Sequence, residues 1–334
     1  MTADPWPFSA LALVIGIGFG LVEAGGSIIA RAVAGGRTAR LLSSLTGTVA
    51  VVAAGVPLLL ALTPLGASPA AAYTLVASVH LAAFVTTALA THRTALSGTS
   101  ELVTSTAQAP SIVVSSDVAE GNAAHETRVS ERRPVLGNGI ALTLVPISIS
   151  LALYVGVETV YAGWSATIPL RVLGVEAQHA AIGTATFWIL LAGGRYFASF
   201  VLGRGVVATR YLLITTTVAA LALGITALTV TGQPIVAAAA LCVAVVGLGP
   251  CYSLILGVGL ARVPVESARR ATGLLVACGA AGGSFIPAIL LAVSRDPTGP
   301  VTFAATAIPT AGFGVFVVLR VRSVVSIATE PVGF

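Results

Sequence analysis

Long apolar stretches follow one another through almost the whole of this 334-residue chain, and that succession fixes the fold class. An α-helix rises 1.5 Å per residue, so about 20 apolar residues cross the hydrocarbon core of a bilayer. Nine stretches reach that length: about 8–30, 41–62, 70–90, 139–170, 179–202, 211–230, 234–261, 271–293 and 301–319. Only 9% of residues are charged, against roughly 25% in a soluble domain. Such a chain cannot cover a water-facing surface. The expectation is an all-α polytopic membrane protein with about nine transmembrane helices. The first stretch is too long for a signal peptide, and Asp4 stands where a signal peptide carries positive charge.

One segment departs from this pattern. Residues 91–137 are rich in Ser, Thr, Glu, Arg and His and nearly free of aromatic residues. They cannot bury enough surface to fold and read as a disordered linker between three spans and six. All 17 basic residues are arginine. With the N-terminus outside, fourteen lie on inner connections or in the tail, among them Arg31, Arg37, Arg40, Arg204, Arg210, Arg262, Arg269 and Arg270. Only Arg171 and Arg295 lie on outer ones, and Arg195 lies within a span. That asymmetry places the N-terminus outside and the C-terminus in the cytoplasm of a cell inner (plasma) membrane. The arginines are scattered and lack an aromatic-interleaved stripe, so the bilayer is the expected partner and nucleic acid is not.

The first two spans resemble the seventh and eighth. Gly18-Phe-Gly20 matches Gly247-Leu-Gly249, and Ala30-Arg31 matches Ala261-Arg262. Arg40 precedes Pro57 by the distance at which Arg270 precedes Pro287. The copies are offset by about 230 residues, and parallel repeats of this kind are a transporter feature. Three spans precede the second copy and none precedes the first. The expectation is a six-plus-six protein whose first three spans lie outside this chain.

Ionisable groups inside a bilayer usually face protein or water. Three qualify: Glu23, Glu158 and Arg195. Glu23 shares a helical face with Gly16, Gly20 and Ser27. Glu158 lies on a stripe of Ser150, Tyr154, Tyr161 and Ser165. A polar stripe on an apolar helix predicts the wall of an aqueous cavity. A carboxylate there is suited to proton exchange, or else serves a structural hydrogen bond or ion pair. Arg195 either anchors a carboxylate or bonds carbonyls; its depth matches that of Glu158. His80 reads as a packing residue ahead of a proton relay. Tyr154, Tyr161, Trp164 and Trp188 suit stacking on a substrate ring or plain packing. Gly16-xxx-Gly20 and Gly279-xxx-Gly283 predict close helix contacts. Cys242, Cys251 and Cys278 lack metal-ligand spacing and read as core residues. Gly16-Ile-Gly18-Phe-Gly20 is not a dinucleotide loop, since no strand or charged ribose ligand follows. No cofactor is expected.

The order of motifs resembles the major facilitator superfamily, in particular its fucose-permease-like sugar:proton symporter branch. Tyr154-Val-Gly-Val-Glu158-Thr-Val-Tyr161-Ala-Gly-Trp164 is similar to that branch's seventh helix. Phe187-Trp188 through Gly194-Arg195 to Gly203-Arg204 is similar to its eighth. Arg262-Val-Pro264 through Arg270-Ala-Thr-Gly273 is similar to its tenth-to-eleventh turn, and Gly18-Phe-Gly20-Leu-Val-Glu23-Ala to its fourth helix. Ser27 and Ser43-Ser44 stand where the branch often carries Asn or Gln.

The resemblance implies an incomplete major facilitator fold of three plus six helices. Residues 1–90 then match helices four to six, 91–137 form a cytoplasmic linker, 138–322 match helices seven to twelve, and 323–334 are a tail. It implies a transporter and not an enzyme, exchanging protons and a sugar or other small polar solute. Glu23 and Glu158 would be the proton-coupling groups. Ser27, Tyr154, Tyr161, Trp164, Ser165, Trp188, Arg195 and Tyr252 would line the substrate side. A drug or metabolite efflux carrier and a non-transporting remnant are the alternatives. A membrane enzyme would need clusters of His, Asp or Ser at the interfaces, and the loops have none.

Overall fold

A computed structural model describes residues 5–62 and 138–327, with isolated positions at 74, 78, 81 and 85. The expected third span, His80, the linker and residues 328–334 lie outside the described residues. Ten α-helices are described: α1 (Pro5–Ala34), α2 (Thr38–Leu62), α3 (Asn138–Trp164), α4 (Thr167–Val172) and α5 (Ala180–Gly203). There follow α6 (Ala208–Thr229), α7 (Pro234–Leu248), α8 (Cys251–Leu260), α9 (Val265–Ser294) and α10 (Pro300–Ile327). Seven stretches among them are long and apolar enough to cross a membrane; the first, Gly16–Leu59, holds both α1 and α2. The protein is an all-α polytopic membrane protein.

Its surface is inverted relative to a soluble domain. Leu21, Val22, Leu228 and Ile235 are exposed large hydrophobics. Thr216, Thr226, Thr272, Thr306 and Thr310 are buried. The hydroxyls of Thr226, Thr272, Thr306 and Thr310 each donate to the carbonyl four residues earlier. That keeps each hydroxyl satisfied where no water can reach it.

Helices approach closely where glycine removes the side chain. A Cβ on Gly282 would sit 1.9 Å from the Ala152 carbonyl oxygen, and one on Gly156 2.3 Å from Ile286. Gly279 and Gly283 also face α3, at Val155 and Thr159. The α3–α9 seam therefore uses the expected Gly279-xxx-Gly283 contact. The other expected contact is absent: Gly16 and Gly20 have nothing within 4 Å among the described residues.

Two expected spans are broken, each beside a proline, although Pro57, Pro146, Pro287 and Pro309 lie inside continuous helices. The fourth was expected to run to residue 170, but α3 ends at Trp164 and α4 begins at Thr167. Pro169 has no N–H for the carbonyl of Ser165, and its ring crowds that carbonyl. The seventh divides into α7 and α8 because Pro250 does the same to Val246. Both freed carbonyls point at glycines of α5. A Cβ would lie 2.4 Å from the Ser165 oxygen at Gly183 and 2.1 Å from the Val246 oxygen at Gly194. Gly183 and Gly194 are eleven residues apart, which is three turns and hence one face. Cα–H contacts to such oxygens offset part of the missing ladder bond. The last helix also outruns its expected end, continuing past Leu319 to Ile327.

Candidate functional site

The break at Gly249–Pro250 positions the most polar interior group. Arg195 lies on α5 one residue beyond Gly194, at the closest approach of α5 to α7. Its Nη2 donates to Glu158 Oε1 of α3 at 2.8 Å. Its Nε donates to the Gly249 carbonyl at 3.0 Å, and its Nη1 to the Thr46 carbonyl of α2 at 2.9 Å. The side chains are nearly closed off, with 7% of Arg195 and 14% of Glu158 exposed. One guanidinium thus fastens α2, α3 and the α7–α8 break to α5. Its planar fork serves three separate acceptors, which an ammonium on a flexible stem would not hold in fixed geometry.

Glu23 of α1 belongs to the same cluster by another route. Tyr252, on the first turn of α8, lies beside its carboxylate. Glu23 also feels the charges of Arg195 and Glu158. The Tyr252 ring lies 6.3 Å from that of Tyr154, which meets Phe313 edge-on at 5.8 Å. The Tyr154 hydroxyl is fully buried near the Glu158–Arg195 pair and makes no hydrogen bond of good geometry. The cluster therefore holds two carboxylates, one arginine and two phenols.

Other expected site residues lie elsewhere. The α3 stripe was expected to wall an aqueous cavity, but much of it is packed. Ser150 Oγ donates to the Phe313 carbonyl at 3.4 Å. Tyr161 is buried, hydrogen-bonded to Thr306 and stacked on Phe303. Ser165 donates to the Ala162 carbonyl and to Thr184. Trp164 and Trp188 are half-buried against the core, Trp188 edge-on to Phe187 at 5.2 Å. Ser27 is buried on α1 one turn beyond Glu23. Tyr161 and Ser165 line a different, mostly apolar cavity of about 310 Å³, with Ile168, Gly183, Phe187 and Cys242. Among the described residues no group of three or more His, Cys, Asp or Glu side chains is placed to hold a metal.

Two groups of the site escaped the sequence reading, the carbonyls of Thr46 and Gly249. Backbone acceptors leave no residue-type signal; Pro250 is the one mark that a carbonyl nearby is released from the ladder. A serine pair was missed as well. Ser43 and Ser253 hydroxyls meet at 2.6 Å, joining α2 to α8.

No family model matches this chain, and no curated protein does. Two solved structures are similar in part: the E. coli fucose:proton symporter FucP, and FucP in the outward conformation, described as a major facilitator superfamily transporter. Each is 17% identical and aligns over 53% of this chain, with TM-scores of 0.48 and 0.47. The chain covers 42% of each of those structures, less than half their length.

Proposed function

We propose that this chain is a secondary transporter of the major facilitator type, moving a sugar or other small polar solute by alternating access coupled to protons. The observation that carries this reading is the unequal treatment of two intramembrane carboxylates. Glu158 is held by the Arg195 guanidinium at 2.8 Å. Glu23 forms no ion pair among the described residues and has a phenol, that of Tyr252, beside it. A carboxylate without a cationic partner is the one suited to exchange a proton. Glu23 is therefore the proton carrier in this reading, and Glu158 with Arg195 forms the substrate-side polar group. Protonation of Glu23 removes one of two negative charges that share Arg195. That change biases the packing of α1 against α8, the kind of two-state element that coupling requires.

The order of helices suits helices four, five and seven to twelve of that superfamily, as the sequence motifs imply. The arginine distribution supports a plasma-membrane protein with its N-terminus outside and its C-terminus in the cytoplasm. One observation favours a carrier of more apolar solutes instead: the nearly apolar lining of the cavity beside Tyr161.

The test is uptake into proteoliposomes of the full chain, with and without an imposed pH gradient, across a panel of sugars and of apolar drugs. Glu23→Gln should abolish gradient-driven accumulation and leave downhill exchange, since Gln keeps size and much of the hydrogen bonding. Glu158→Gln should weaken substrate binding by leaving Arg195 unpaired. If both variants accumulate substrate as the parent does, neither carboxylate carries the coupling proton.

A further inference from the structure

At the turn between α1 and α2 lies a second cavity, of about 390 Å³, that the transport reading does not use. It is walled by Val33 and Ala34 from the end of α1, Arg37 and Arg40 from the turn and the start of α2, and Ser44 and Ser199 deeper in. Three features define its chemistry. Two arginines line it and no carboxylate does. Among the described residues neither Arg37 nor Arg40 makes an ion pair or a hydrogen bond. The neighbouring cation, Arg204, is already engaged, with its Cζ 3.7 Å over the Phe200 ring. Arg40 lies against Gly203, where a Cβ would come within 3.0 Å of its Cζ, so the glycine leaves room for the guanidinium.

We propose that this cavity binds the headgroup of an anionic phospholipid from the leaflet that the α1–α2 turn faces. Two guanidiniums and two hydroxyls offer donors that match a phosphodiester, which a fork-shaped cation binds through paired hydrogen bonds. The apolar side of the cavity selects a lipid over free phosphate. Val33 is 77% exposed near the end of α1, with Ala34 and Leu41 beside it. An acyl chain can lie along that wall while its phosphate reaches the arginines. Basic pockets between helices at the membrane boundary are a recognised form of headgroup site. The proposal does not depend on transport.

The experiment reconstitutes the full chain in nanodiscs of equal phosphatidylglycerol and phosphatidylcholine, extracts it in uncharged detergent, and measures retained lipid by mass spectrometry. The parent should retain phosphatidylglycerol about tenfold over phosphatidylcholine. Arg37→Gln with Arg40→Gln should bring the ratio to about one, with helical content and melting in detergent as the folding control. Ser199→Trp, which fills the cavity while keeping both arginines, should also lose the enrichment. Arg210→Gln, at another arginine-bearing turn, should keep it. Equal retention of both lipids by the parent overturns the proposal. So does enrichment that survives in folded Ser199→Trp, or that is lost equally in Arg210→Gln. Inorganic phosphate that raises the melting temperature in detergent as much as phosphatidylglycerol does would assign the site to free phosphate and also overturn it.

Discussion

Helix α1 and the α7–α8 pair share a Gly-x-Gly and, further on, an Ala-Arg, yet one is continuous and the other is broken. The difference is at one register position. Counting on from the second glycine, Leu21 follows Gly20 where Pro250 follows Gly249. Leucine continues the ladder and faces outward, 71% exposed. Proline interrupts it, and the Gly249 carbonyl is then taken by Arg195. Two positions further, the copies carry Glu23 and Tyr252, both at an offset of 229 residues. Those equivalent residues lie beside each other. Repeated segments thus meet at matching positions and divide the work: one supplies an acid, the other a phenol beside it and a carbonyl for the arginine.

The largest effect expected is from removing that arginine. Arg195→Met takes away one partner of a buried ion pair and leaves Glu158 without a counter-charge. That costs about 3–5 kcal/mol. It should appear as loss of most folded protein in detergent, measured by thermal melting. Arg195→Lys should recover only part of this, because an ammonium cannot serve Glu158, Thr46 and Gly249 in the same geometry. A variant that melts like the parent would show that the α7–α8 break does not depend on the guanidinium.

The glycines test the same comparison from the packing side. Gly249 faces α5 so closely that a Cβ would lie 2.6 Å from the Leu191 carbonyl oxygen, while its counterpart Gly20 has nothing within 4 Å. Gly249→Leu should cost about 1–3 kcal/mol through overpacking against backbone. Gly20→Leu should change melting little. Equal losses at the two positions would dissolve the distinction between a packed copy and an open one.

Much of the frame was legible beforehand, for a physical reason. Twenty apolar residues carry their own signal wherever they sit, so eight of the expected spans appear within the described helices. Glu23, Glu158 and Arg195 were singled out because a charge in lipid is expensive whatever its neighbours are. What packs against a face is a different matter. The Ser150–Ser165 stripe has the right helical period for a cavity wall, but Thr306, Phe303 and Phe313 come from α10, far along the chain, and close over much of it. Periodicity names a face and not its partner. The ring chemistry of proline made Pro169 and Pro250 candidate breaks, but Pro57, Pro146, Pro287 and Pro309 lie inside continuous helices. The purpose of the two breaks was not legible, because it rests on Gly183 and Gly194 of another helix.

A smaller effect should follow from restoring the ladder. Pro250→Leu gives the second copy the residue that the first copy has. Its new N–H can donate to the Val246 carbonyl, but straightening the helix withdraws the Gly249 carbonyl from Arg195. Loss of a hydrogen bond to a charged donor outweighs a backbone bond gained, by about 1 kcal/mol. Hydrogen exchange should then protect residues near 250 more strongly even as the melting temperature falls. A rise in melting temperature would mean that the break is a tolerated defect and not a support for the site.

The smallest expected effect measures what the two copies gain by touching. Ser43 of α2 and Ser253 of α8 share a hydrogen bond at 2.6 Å, and Ser253 also donates to the Pro250 carbonyl at 2.9 Å. The proton of Ser253 is therefore committed within its own helix, which makes Ser43 the donor across the seam. Ser43→Ala removes only the bond between copies, since Ser253 keeps its local acceptor. Ser253→Ala removes both bonds and leaves the Ser43 hydroxyl to seek a carbonyl of α2. A double-mutant cycle separates these losses. Interhelical hydrogen bonds in membranes average about 0.6 kcal/mol, because the separated helices also find partners. The coupling energy from melting or denaturant titration should be near that value, with Ser253→Ala the costlier single change. A coupling of zero would mean that α2 and α8 are held by other contacts, the close approach of Gly257 to Ala39 being the first to examine, where a Cβ would lie 2.6 Å from the Ala39 Cα.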